Sequence, residues 1–420
     1  MIPGADKKSI IIIGAGPIGI EAAVYAKNCG YRVRILEKQS VGGNIRQWQH
    51  VRLFSPFKLN YSPLGKSLLE TQGHQLPNGG DYLTGADYLN SYLKPLADSA
   101  LAGCVTLDCE VLAISRQGIL KGDHIGNGKR KAYQFRILTR SSTGKEAFYT
   151  ADVVIDASGS YGNHNWLGDG GIPAIGELTN RNRIQYGLED IAGNEKEKYA
   201  GKTTLVIGSG HSAATSVTGL KQLMAENPAT KLIWITRGNN TLPLNTIPGD
   251  VLAERERIVQ EANDIVSNPN TRWIQNATIQ TIEFDESAKQ FRVEIETPDG
   301  SGFLVVDNII ANVGYSPDNS IYRELQVHEC YASRGPMKLA AALLSENASA
   351  DCLTQTSKGP DVLKNPEPDF YIIGMKSYGK NSNFLLKIGY EQIRDVFKLI
   401  SNSEELNLYS QSAEAEPVAT

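Results

Sequence analysis

The chain has 420 residues and a formal net charge of −4 at pH 7, with 41% of residues hydrophobic and 21% charged. That length supports two or three domains with cores of their own, and the weakly acidic balance argues against a nucleic-acid partner. No apolar run approaches the roughly 18 residues that would span a bilayer, so no membrane partner is expected.

Met1 to Lys8 is short and polar and is expected not to be a secretion signal. Ile10 to Ile13 is an apolar run of the kind buried in a parallel sheet. It leads into Gly14, Gly16 and Gly19, spaced GxGxxG, and a helical pattern follows through Pro17 and Ile18. Gly14 permits a tight turn and Gly16 lets backbone approach a pyrophosphate. Gly19 lets the helix pack close to its strand, while the helix N-terminus faces the phosphates. A second strand, Arg32 to Glu37, ends on a carboxylate placed to accept from a ribose hydroxyl. Together these elements predict a dinucleotide site.

The segment from Lys38 to His50 contains Gly42-Gly43, Trp48 and His50 and reads as too irregular for a plain helix. With the aromatics that follow up to Phe57, it suits the lining of an extended cofactor. From Thr84, a candidate cap, a helix is predicted, because Tyr88, Tyr92, Leu93 and Leu96 recur at helical spacing. Glu110–Arg116, Ala132–Thr139 and Ala147–Ile155 read as a three-stranded antiparallel meander. Its last strand ends in Ala157-Ser158-Gly159, small residues that suit a strand end beneath a ligand.

A glycine- and proline-rich bridge, Gly159 to Gly176, is a natural domain crossing. Lys202 to Ala214 then repeats the opening feature, with Gly208, Gly210 and Ala213 spaced GxGxxA between a strand and a helix. The following strand, Lys231 to Arg237, ends on arginine where the first unit ends on Glu37. An arginine there accommodates a 2′-phosphate, which predicts NADPH rather than NADH as the second nucleotide. Thr278–Phe284, Gln290–Glu296 and Phe303–Val313 read as a second meander, so the whole layout occurs twice.

Asp369 to Met375 reads as a closing strand ending at Gly374, followed by a loop to Ser382 and a helix from Asn383 to Ile400. Residues 401–420 are polar and acidic and are expected to be disordered. The five cysteines, at 29, 104, 109, 330 and 352, form neither a CxxC pair nor a zinc pattern, which points to a reduced, cytoplasmic setting and no metal. Cys330, close to His328, reads as a buried inert thiol rather than an activated one.

The strand–GxGxxG–Glu unit, the second GxGxxA–Arg unit and the closing strand–Gly–loop–helix resemble flavoproteins with two dinucleotide-binding domains. Flavin-containing monooxygenases and the pyridine nucleotide-disulfide oxidoreductase superfamily are such proteins. The resemblance runs from Ser9 to Ile400 and implies an α/β fold of two Rossmann-like, doubly wound, three-layer domains, each with an antiparallel meander. An NADP domain, 161–317, would be inserted into a discontinuous FAD domain, 1–160 and 318–400.

By the same resemblance, FAD would lie on Gly14, Gly16, Pro17, Ile18, Gly19, Glu37 and Lys38. Gly43, Asn44, Trp48 and His50 would line it, with Val111, Ser158, Gly159 and Gly374 completing the cradle. NADPH would lie on Gly208, Gly210, His211, Ser212, Ala213 and Arg237, with Gly314 in the second interdomain linker. Lys380, Asn381 and Ser382 would be the catalytic donors near the flavin.

The chain departs from the pattern in four places. It lacks a redox dithiol, Ile184–Asp190 carries no histidine where monooxygenases have one, Ser55-Pro56 stands where an asparagine beside the flavin is expected after Trp48, and Met375 follows Gly374 where reductases place an acid. The expected function is an NADPH-reduced FAD oxidoreductase, monooxygenase-like, acting on a small organic substrate. A reductase or oxidase without oxygen insertion, and a nucleotide-binding scaffold without turnover, are the alternatives. A homodimer stays open.

Overall fold

The computed structural model describes residues 8–345 and 356–413, so Cys352 lies outside the described residues. The chain divides into two compact units, one of residues 1–46, 56–163 and 316–420, the other of 47–55 and 164–315.

The first unit is built on a parallel five-stranded sheet. Its strand order is Phe370–Ile372, Val153–Asp156, Ser9–Ile13, Arg32–Leu36 and Val105–Thr106. Ile12 pairs with Ile155 on one side and Ile35 on the other, all three fully buried. The uninterrupted apolar run is thus explained by a central strand covered on both faces. Helices Pro17–Asn28 and Leu386–Ser401 pack on each other, with Tyr25 stacked on Phe397 at 5.0 Å between centroids.

The second unit repeats four of these strands as Thr271–Ile274, Lys231–Ile235, Thr203–Ile207 and Asn308–Ala311, again parallel. Each unit also carries an antiparallel three-stranded sheet. In the first it is Glu110–Arg116, Phe135–Arg140 and Glu146–Ala151; in the second, Thr278–Asp285, Gln290–Thr297 and Gly300–Val306.

The last strand of each predicted meander is in fact two strands. Ala147–Ile155 breaks at Asp152, and Phe303–Val313 breaks at Asp307, after which the chain enters the parallel sheet. Both aspartates pin the crossing in the same way. Ser9 N–H donates to Asp152 Oδ2 at 2.8 Å and Asp152 N–H to the Ser9 carbonyl at 3.0 Å. Thr203 N–H donates to Asp307 Oδ2 at 2.7 Å and Asp307 N–H to the Thr203 carbonyl at 2.9 Å.

Other boundaries also differ from expectation. The segment read as irregular, 38–50, contains a short helix, Gly43–Gln47. Thr84 caps its helix through a reciprocal box with Asp87, and the helix continues through a π turn at Leu89–Leu93. The tail read as disordered from Ser401 instead forms a helix at Leu408–Ala413. Leu408 N–H donates to Tyr25 Oη at 3.0 Å, and Tyr409 packs edge-on to Tyr25 at 5.1 Å. Aromatic and aliphatic anchors in an otherwise polar stretch supply the burial that composition averages hide. Residues 414–420 lie outside the described residues.

Candidate functional site

In the first unit, the glycine turn sits at the carboxyl edge of the parallel sheet, where open α/β sheets hold ligands. Gly14 has φ +96°, and a Cβ there would lie 2.9 Å from the Ala157 carbonyl oxygen. A Cβ on Gly19 would lie 1.9 Å from the Gly14 oxygen, so this helix contacts its own turn. Gly16 is different, since a Cβ there meets no heavy atom within 4 Å. It caps helix Pro17–Asn28 without a side-chain hydrogen bond, which leaves the first-turn amides facing that open space.

Glu37 is buried, and its carboxylate accepts from Ala15 N–H at 2.7 Å and Gln39 N–H at 2.8 Å. One bond per oxygen leaves each with acceptor capacity for a ribose hydroxyl. Gly159, at φ +72°, also opens onto free space. An open cradle, a bare helix N-terminus and an anchored carboxylate fit an FAD pyrophosphate and ribose.

The second unit reproduces this geometry. A Cβ on Gly208 would lie 2.2 Å from the Asn312 carbonyl oxygen, whereas one on Gly210 meets nothing within 4 Å. Gly14 N–H donates to the Leu36 carbonyl at 2.9 Å, and Gly208 N–H donates to that of Ile235 at 3.1 Å. Leu36 is therefore the counterpart of Ile235, so Glu37 matches Thr236 and Lys38 matches Arg237. This shifts the sequence alignment of Arg237 with Glu37 by one residue.

The second unit has thus exchanged the carboxylate for a buried threonine, whose Oγ1 accepts from Trp273 Nε1–H at 3.1 Å. Arg237 follows, exposed, and its guanidinium has no ion pair among the described residues. Removing a carboxylate and presenting a free guanidinium suits a nucleotide carrying an extra phosphate.

Around the second turn, His211 opens helix His211–Glu226 and its ring lies 5.3 Å from Phe54. It keeps exposed surface. Desolvation by the protein around it, and then the Arg255 charge, still lower its pKa from the ordinary value, with Asp250 opposing. Asp250 and Arg255 form a buried two-pronged ion pair, both bonds 2.6 Å. Ala213 is fully buried, and Ser216 Oγ donates to Asn312 Oδ1 at 2.8 Å, tying the helix to the strand end. Ser212 lies in the first turn of that helix. Gly314, at φ +81°, has its carbonyl bonded by Asn165 N–H at 3.0 Å.

The remaining predicted residues are scattered. Trp48 and His50 fall in the second unit, whereas Gly43 and Asn44 belong to the first. His50 is half-buried, and desolvation lowers its pKa. Val111 lies in the first unit's core beside Ile114 and Phe135. Gly374 packs on Ile18, and Lys38 is exposed. Ser158 spends both its N–H and its hydroxyl on Asp156 Oδ1, at 3.1 and 2.7 Å. Lys380 and Ser382 are exposed, and Asn381 Oδ1 accepts from Asn383 N–H at 2.9 Å. Helix Leu386–Ser401 begins three residues after the predicted start, with Leu385 as an uncapped first position.

Two groups were missed from sequence. Lys376, four residues before Lys380, is buried and ion-paired to Asp156 at 2.6 Å. A lysine directly after the apolar run Phe370 to Met375 was the available signal. Glu177, fully buried, directly follows the expected bridge and opens helix Glu177–Asn180. It accepts from Leu167 N–H, from Ala174 N–H and from the Tyr186 hydroxyl at 2.7 Å. Cys330 is buried and free.

A family model described as pyridine nucleotide-disulphide oxidoreductase matches residues 11–337. The chain belongs to this family. It is accordingly a pyridine nucleotide-dependent oxidoreductase. A thioredoxin reductase of Ureaplasma parvum is 61% identical over 36 residues, a match spanning 9% of this chain and 12% of that protein. The fold is similar to that of a bacillithiol disulfide reductase of Bacillus cereus (TM-score 0.67, 17% identity, 98% of this chain and 100% of that one). It is also similar to an FAD-bound cadaverine monooxygenase of Erwinia amylovora (TM-score 0.64, 12% identity, 95% and 96%). No helix among the described residues is long and apolar enough to cross a membrane.

Proposed function

We propose that the first unit binds FAD, that the second binds NADPH, and that the enzyme is monooxygenase-like and acts on a small organic substrate. The observation that carries the assignment is the pair of equivalent positions, Glu37-Lys38 in one unit and Thr236-Arg237 in the other. FAD, when bound, takes up the hydride and passes electrons to an acceptor; the protein binds and orients the groups. Gly14, Gly16 and Gly19 give the pyrophosphate its approach, Pro17 and Ile18 begin the helix that faces it, and Glu37 accepts from the ribose. Gly208, Gly210 and the first turn through Ala213 receive the second pyrophosphate, and Arg237 meets the 2′-phosphate. Because Ser158's donors are committed to Asp156, Gly159 is the stronger candidate for backbone contact with FAD.

The lack of any CxxC in the sequence supports electron delivery to an acceptor other than a local disulfide. The test is coupling. The FAD-loaded enzyme is turned over with NADPH and oxygen against panels of amines, sulfides and ketones, and hydrogen peroxide is measured per NADPH consumed. A substrate that accelerates NADPH oxidation while suppressing peroxide release supports oxygen insertion. Peroxide equal to NADPH with every compound overturns it in favour of an oxidase.

A further inference from the structure

We infer that Lys376 is a positioning residue that, through Asp156, locks the Ala157–Gly159 turn against the glycine motif and so preorganises the FAD cradle of the first unit. The inference rests on the reading that this unit holds FAD.

Asp156 closes strand Val153–Asp156 and pairs in register with Ile13 on one side and Ile372 on the other. It therefore stands at the carboxyl edge of the sheet, between the strand that leads into the glycines and the strand that leads into Lys376. Its side chain is fully buried and that of Lys376 is 1% exposed. Lys376 Nζ lies 2.6 Å from Asp156 Oδ2 and donates to Ser158 Oγ at 3.1 Å. Ser158 returns its N–H and hydroxyl to Asp156 Oδ1. The three side chains close a ring, and Tyr322 covers the ammonium, its ring centroid 5.2 Å from Nζ.

This ring grips a turn with no slack on its other side. Gly14 meets Ala157 and Ser158 so closely that a Cβ would lie 2.9 Å from the Ala157 oxygen and 3.0 Å from Ser158 Cα. Beyond that contact, Gly159 turns at φ +72° into open space. A turn that drifted outward would carry Gly159 away from the cradle, and one that moved inward would collide with Gly14. Burying a charged pair is a costly way to fill a core, since an apolar pair of similar volume is often as stable. What the apolar pair lacks is directional hold on Ser158.

That contrast supplies the test. In the full-length chain, Lys376→Met alone leaves Asp156 buried without its cation, and the melting temperature should fall by more than about 5 °C. Lys376→Met combined with Asp156→Val replaces the pair by apolar groups and should melt close to wild type once stripped of FAD. On titration with FAD, followed by flavin fluorescence, its dissociation constant should rise at least about tenfold. A double variant that melts and binds like wild type overturns the proposal and leaves only a structural ion pair.

If the double variant does not fold, Ser158→Ala and Ser158→Thr decide, because both keep the ion pair. A weakened Ala variant with affinity restored in Thr supports the role; wild-type affinity in both overturns it. A wild-type chain that takes up no FAD at all would overturn the cofactor assignment together with this role, a result distinct from either of the others.

Discussion

Gly16→Ala and Gly19→Ala add the same methyl group to one turn and should fail for opposite reasons. At Gly16 the backbone is extended, with φ −76° and ψ −180°, a conformation open to any residue, and no atom stands within 4 Å of the new methyl. The FAD-free protein loses only glycine's advantage over alanine as a helix cap, under about 1 kcal/mol. It should melt within about 3 °C of wild type.

With FAD bound, that methyl stands where the pyrophosphate approaches. An overpacked contact costs about 1–3 kcal/mol, which corresponds to roughly five- to 150-fold in dissociation constant. At Gly19 the methyl would lie 1.9 Å from the Gly14 carbonyl oxygen, and backbone at a buried turn has no room to yield. The helix must lift from its strand, at a cost of at least about 3 kcal/mol before any ligand is added. Thermal melts of FAD-stripped protein, followed by fluorescence titration with FAD, measure both effects. Wild-type FAD affinity in Gly16→Ala would exclude a pyrophosphate contact at that glycine, and a wild-type melt of Gly19→Ala would exclude the tight packing of helix on turn.

Arg237→Ala should raise the Michaelis constant for NADPH at least about tenfold while barely changing that for NADH, and equal effects would remove the arginine from the 2′-phosphate. Burial raises the pKa of Glu21, opposed by hydrogen bonds from Tyr92 and Ser62. A carboxyl whose folded-state pKa is raised costs stability as pH climbs past its unfolded value. Glu21→Gln should therefore melt above wild type at about pH 8, with the margin shrinking towards about pH 4; a margin independent of pH would exclude this linkage. Glu177→Ala strands the buried N–H groups of Leu167 and Ala174, so the second unit should lose about 2–5 kcal/mol, and an unchanged thermal melt would contradict the bond network described for that carboxylate.

The parallel strands and glycine turns were legible because each is written in a few consecutive residues. Ile10 to Gly19 states strand, turn and helix in ten positions, and Thr203 to Ala213 states them again. The antiparallel sheets were legible as β structure, but their junctions with the parallel sheets were not. Nothing local marks Asp152 or Asp307 as the point of crossing until Ser9 and Thr203 are seen to bond them. The match of Arg237 with Glu37 failed by one residue for a similar reason. Strand ends in sequence are ambiguous, and only the Gly208–Ile235 hydrogen bond fixes which residue is the counterpart of Glu37. Lys376 and Ser158 are 218 positions apart, so their ring with Asp156 exists only in the fold. Lys380, the lysine singled out from sequence, sits in a polar loop and is exposed to solvent.

On the proposed function, one chain holds FAD and accepts a hydride from NADPH. The most direct measurement is anaerobic: flavin absorbance of the purified, FAD-loaded protein is followed as NADPH or NADH is mixed in. One FAD per chain is expected, bleached by both nucleotides and at least about tenfold faster at low concentration by NADPH. A protein that takes up no FAD, or whose flavin stays oxidised with either nucleotide, would contradict it.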